Sequence, residues 1–126
     1  MANIVIQFEN GPSVKVSLRS DGTLTLSALV ASLPFSSKAN RWGDEVYFEA
    51  PFHSPLEPDS RAEMSIGDVA FWPDGDAIAI FFGRTPASIG QEPRAYSPCN
   101  IIGRLDGDAS VLAHAKHGQG LTVVSE

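Results

Sequence analysis

Long apolar runs are missing from the chain. The longest, Ala77 to Gly83, falls far short of the 18 or more residues that span a bilayer as a helix. Positive charge is also scarce: 9 Lys+Arg stand against 15 Asp+Glu, a net charge of −6. The cations are scattered, so neither a nucleic-acid footprint nor attraction to an anionic membrane surface is expected. With one cysteine, Cys99, an internal disulfide is excluded and a reducing compartment fits. Met1-Ala2-Asn3-Ile4 leads straight into an alternating pattern, without the basic and apolar regions of a secretory signal, so the cytoplasm is the expected location.

What is present is the composition of a globular protein: 126 residues, 43% of them hydrophobic, read as one domain over 1–126. A chain of this size buries roughly two-thirds of its unfolded surface, so no metal or cofactor is needed to hold a core. Ile4, Ile6 and Phe8, then Val14, Val16 and Leu18, alternate with polar residues around Asn10-Gly11-Pro12-Ser13, which predicts a hairpin. Leu26, Leu29, Val30 and Leu33 change to helical spacing until Pro34 bars continuation. Period 2 returns in Glu45–Glu49, weakly in Arg61–Ile66, and in Val69–Trp72 and Ala77–Phe82, the last two separated by the turn dipeptide Asp74-Gly75. Two more strands are predicted over Asn100–Asp106 and Leu121–Ser125. Between them Asp108 caps a second short helix with Val111, Leu112 and Ala115 on one face and Gly118 at its stop. About eight strands with two short helices and no βαβ rhythm predict a mainly β, closed antiparallel barrel. The Pro-bearing loops at 50–59 and 84–98 are long enough to carry function.

The motifs that would announce chemistry fail on spacing or context. The Gly/Asp pairs at 43–44, 67–68, 74–76 and 106–108 lack the spaced ligands of a calcium loop and read as turns. His114 and His117 have no third ligand nearby and suit the cationic end of a helix, and His53 reads as a surface residue. Ser88 has Pro86 where a nucleophile elbow needs glycine. Gly118-x-Gly120 precedes a strand instead of opening a helix. Cys99 has no neighbouring base and reads as a small buried residue.

The aromatics are more informative. Alternation cannot put both Tyr47 and Phe48, or both Phe81 and Phe82, on the inside of one strand. One of each pair must face outward, against a loop, a partner or a ligand. Apolar concavities with a few polar groups are the usual small-molecule sites. Arg41, Trp42, Tyr47 and Phe82 are therefore expected to form an apolar wall with one cationic contact, and Thr85, Glu92 and Asn100 to orient a ligand. Glu49, Arg84 and Arg94 lie close in sequence as further polar candidates.

Ala-Asn-Arg-Trp-Gly-Asp-Glu-Val-Tyr-Phe-Glu-Ala over 39–50, with Gly-Asp-Val-Ala-Phe-Trp-Pro over 67–73, Ile-Phe-Phe-Gly-Arg-Thr-Pro over 80–86 and Asn-Ile-Ile-Gly over 100–103, resembles the small prokaryotic cyclophilin-like family. Its members are mostly of uncharacterised function. The resemblance covers nearly the whole chain and implies an eight-stranded cyclophilin-like barrel closed by a helix at each end. Cyclophilins themselves isomerise X-Pro bonds with a pocket introduced by Phe-His-Arg. This chain has Phe52-His53-Ser54 instead, so no catalytic residue carries over. The expectation is a barrel that binds a small molecule or peptide in an aromatic-lined groove. The alternative is a prolyl isomerase with a non-standard site that uses Arg41 or Arg84, and the outward aromatics allow for self-association as a homo-oligomer.

Overall fold

A computed structural model describes residues 3–126. Ten strands and one α-helix follow in chain order: β1 Asn3–Phe8, β2 Ser13–Leu18, α1 Leu24–Ser32, β3 Phe35–Lys38, β4 Asn40–Arg41, β5 Glu45–Glu49, β6 Arg61–Glu63, β7 Asp68–Trp72, β8 Ala77–Phe81, β9 Arg94–Asp106 and β10 Gly120–Ser125. Short 3-10 helices lie at Pro73–Gly75 and Ala109–His114. No helix among the described residues is long and apolar enough to cross a membrane.

The strands pair in the order β3-β10-β1-β2-β9-β7-β8-β5-β4, with β6 attached to β9, and every ladder is antiparallel. The expected closed barrel of about eight strands needs correction. The sheet ends at β3 and β4 without a ladder to close it. These two edges are separated in the chain by Ala39 alone. Ala39 is wholly buried, and its backbone bonds Gly118 and Gln119. One bent segment thus gives its first half to β10 and its second to β5, and the chain itself links the edges. The second helix is a 3-10 segment, not an α-helix, with Asp108 as its N-cap. Thr23 caps α1 through Leu26 N–H, as helix starts prefer. Val30, expected on the apolar face, is half exposed.

Alternation sorts the side chains onto two faces. Ile4, Ile6, Val14, Val16, Val46, Phe48, Val69, Phe71, Ile78 and Ile80 build the main core with Leu29 of α1 and Leu112. On the other face, Ala70, Ala79 and Phe81 pack with Met64, Ala95, Cys99 and Ile101 in a second cluster. The two adjacent aromatic pairs split as alternation demands: Phe48 faces the main core and Tyr47 the second cluster, while Phe81 enters the second cluster and Phe82 packs against the first. Strands β7 and β8 are consequently covered on both sides. The cover is β6 with the first half of β9, joined through Arg61↔Cys99 and Glu63↔Arg94.

Close approach of β2 and β9 leaves no room for a side chain at Gly103, where a Cβ would meet the Ser17 carbonyl oxygen. Gly103→Ala is expected to destabilise the protein by about 1–3 kcal/mol through overpacking. A lowered urea midpoint checks this, and an unchanged midpoint contradicts it.

Candidate functional site

The turn between β4 and β5 builds one side of a cleft on the outer face of the sheet. Gly43 sits at φ 59, and a Cβ there would press on the Arg84 carbonyl at 2.9 Å, so the tight turn needs glycine. Trp42 N–H donates to the Glu45 carbonyl at 3.0 Å, which brings these two residues together at the mouth of the hairpin. Two strands away, Trp72 ends β7, and its Nε1–H donates to Ser97 Oγ at 2.6 Å. That bond pins the indole to the covering half of β9. Tyr96, 77% exposed, stands between the indoles, edge-on to Trp42 at 6.3 Å and to Trp72 at 6.1 Å.

These rings and Tyr47 wall a cleft of about 210 Å³ floored by Ala77 and Ala79. Small side chains at the floor leave the room that larger ones would fill. Ala95 and Cys99 complete the apolar part, and the one carboxyl in the lining belongs to Glu45. Glu45 is only 7% exposed, and its Oε1 is buried without a hydrogen-bond partner among the described residues. A carboxylate stripped of water and donors favours its neutral form, and burial pushes the Glu45 carboxyl up to about 8. Burial, reinforced by the Glu45 and Asp74 carboxylates, likewise pushes the Cys99 thiol up to about 12. Cys99 is therefore a thiol at neutral pH and not a nucleophile.

Of the residues expected from sequence to form a site, Trp42 and Tyr47 line this cleft. The others are engaged elsewhere. Arg41 donates from Nη1 to the Ala113 and Ala115 carbonyls and from Nε and Nη2 to Gly43 O. Its guanidinium lies 5.0 Å from the centre of the Phe82 ring, so Arg41 and Phe82 together clamp β4 to the second helix. Asn100 is fully buried. It accepts from Glu57 N–H at 2.8 Å and donates to Pro55 O at 2.9 Å and Thr25 Oγ1 at 3.0 Å, tying the 50–59 loop to α1. Thr85 and Glu92 knit the other long loop to itself. Thr85 Oγ1 donates to Arg94 O, and the Glu92 carboxylate accepts from Ile89 and Gly90 N–H. Those two amides, with Arg94, hold the Glu92 carboxyl down to about 2. Sequence reasoning missed Glu45, Ala77, Ala79 and Tyr96 as cleft residues; the small alanines among large neighbours on β8 were the available signal.

Ionisation of Glu45 should be visible in stability. Below about pH 4.5 the group is protonated in folded and unfolded chains alike. Between 4.5 and about 8 the unfolded chain releases this proton and the folded chain keeps it. Its contribution to stability therefore falls as pH rises, by up to about 1.4 kcal/mol per pH unit, and levels off above the folded value. Glu45→Gln removes this dependence. The variant should gain on the wild type between pH 5 and 8 in parallel urea titrations, and a constant difference between the two would contradict the burial of an uncompensated carboxyl.

The family description "cyclophilin-like" matches residues 2–124. The solution structure of a hypothetical protein from Archaeoglobus fulgidus is similar at a TM-score of 0.82 and 35% identity, covering 98% of this chain and 93% of that one. None of the curated proteins matches the chain.

Proposed function

The chain belongs to the cyclophilin-like family, and on that premise we propose that it is a binding protein that takes a small molecule or a peptide side chain into the aromatic cleft. The observation that carries this reading is the enclosure of one apolar hollow by Trp42, Tyr47, Trp72 and Tyr96. Exposed apolar concavity is costly to leave in water, and large aromatic walls with few polar groups are the usual make-up of a ligand site. The hollow has a volume of about 210 Å³. That is below the 300–1,000 Å³ of drug-sized sites, so the bound part of the ligand is a head group or a single side chain.

The isomerase alternative has less support. Arg41 is occupied by main-chain carbonyls, and neither it nor Arg84 is among the residues that line the cleft.

The chain has two tryptophans and both line the cleft, so their indole N–H signals report on it directly. Screening soluble fragments and short peptides by ¹⁵N–¹H spectra is expected to give binders that shift both indole signals. Trp42→Ala should weaken those binders at least tenfold with little change in thermal midpoint. Binders that shift only amides remote from the cleft, or bind the Trp42→Ala variant equally well, would overturn the reading.

A further inference from the structure

We propose that the cleft is built for a small alkylammonium cation, its charge met by Glu45 and its alkyl groups by the aromatic walls. This rests on the binding reading above and names the ligand class that the cleft selects.

The argument starts from an imbalance. Glu45 is buried with one carboxyl oxygen unpartnered among the described residues, and among those residues no Lys, Arg or His lines the cleft to neutralise it. The other titratable groups in the lining are the Tyr47 phenol on the same strand and the Tyr96 phenol and Cys99 thiol on β9. Outside the lining, Asp74 lies in the β7–β8 turn, and Asp44 of the β4–β5 turn pairs with Arg41 at 3.5 Å. Arg41 is thus held by Asp44 and by the carbonyls of Gly43, Ala113 and Ala115. Once ionised, Glu45 acts on Cys99 in the same sense as Asp74, both disfavouring the thiolate, so an ionised Glu45 in this hollow calls for a cation.

The walls fit the same ligand. Ring faces carry negative charge in their quadrupole and attract ammonium groups, most strongly when water is excluded, and aromatic enclosures recognise methylated ammonium in this way. An alkylammonium that enters also supplies the missing partner: the neutral Glu45 carboxyl gives its proton to solvent, and the carboxylate pairs with the cation. Neutral and anionic ligands offer no such exchange. The same group can arrive as a free amine or at the end of a lysine side chain.

Choline and its uncharged isostere 3,3-dimethyl-1-butanol separate charge from shape, because they differ only in nitrogen against carbon at the branched centre. N-capped lysine and trimethyl-lysine peptides separate the two sources. With the indole signals and calorimetry as readouts, choline or the trimethyl-lysine peptide is expected to bind at least tenfold more tightly than the isostere at pH 8.5. Choline cannot titrate, so its affinity should fall about tenfold per unit of pH below the Glu45 midpoint, one proton being released on binding. Glu45→Gln should bring choline down to the level of the alcohol and abolish the pH dependence, with a circular dichroism spectrum to show that it folds. Should the variant not fold, the pH dependence of the wild type decides alone. Equal binding of choline and the alcohol, or an affinity independent of pH, overturns the cation assignment and leaves the cleft as an apolar site. If none of the four probes shifts an indole signal, the cation assignment falls. If the wider fragment screen is silent at the indoles too, the cleft reading falls with it.

Discussion

Two adjacent strands in the middle of the sheet, β7 and β8, are apolar on both faces, and the rest of the molecule follows from having to cover them twice. The inner face is covered by the opposite side of the curved sheet and by α1. The outer face is covered by β6 and the first half of β9, which fold back across it. An antiparallel sheet more often leaves one face to solvent; here the second cover makes a thin second core of mostly small side chains. The cleft is the place where that cover stops short.

Its polar chemistry is a by-product of the same geometry. Glu45 sits on the outward register of β5, where a carboxylate is normally hydrated. Here the side chain is 7% exposed, and one of its carboxyl oxygens has no hydrogen-bond partner among the described residues. A carboxyl left in that state is held neutral by the fold at a cost in stability, and such groups concentrate at functional sites. Most other polar side chains near the aromatics do the opposite work. Arg41, Thr85, Glu92 and Asn100 spend most of their hydrogen bonds on main-chain groups, as buried backbone requires.

Much of the fold was legible from period alone. All eight expected strands are present, most of them carrying an alternation or an apolar run, although the weakly patterned 61–66 segment yields only the three residues of β6. The misses have local causes. In Phe35-Ser-Ser-Lys the only large apolar residue is Phe35, so β3 shows no pattern, and β4 is just two residues long. Pro98 hid the first half of β9, since proline seldom lies within a strand; it is tolerated where this half pairs irregularly with the short β6. The site was half legible. Trp42 and Tyr47 stood out as aromatics, whereas Glu45 looked like any solvent-facing strand residue, because most of the cleft around it is lined by residues 72–99, distant from it in sequence. Arg41 and Phe82 were expected in the same wall as Trp42 and Tyr47 but do not line the cleft; they are held against each other instead.

The account stands on one quantity, the ionisation of Glu45 in the folded, ligand-free protein. A ¹³C-detected titration of the side-chain carboxyl signals, with Glu45 assigned by its absence in the glutamine variant, measures it directly. The account predicts a midpoint near 8, standing apart from the other carboxylates. A midpoint in the ordinary glutamate range of about 4–5 would mean that water or an internal donor reaches the group, and the cleft would then lose the imbalance on which its proposed chemistry depends.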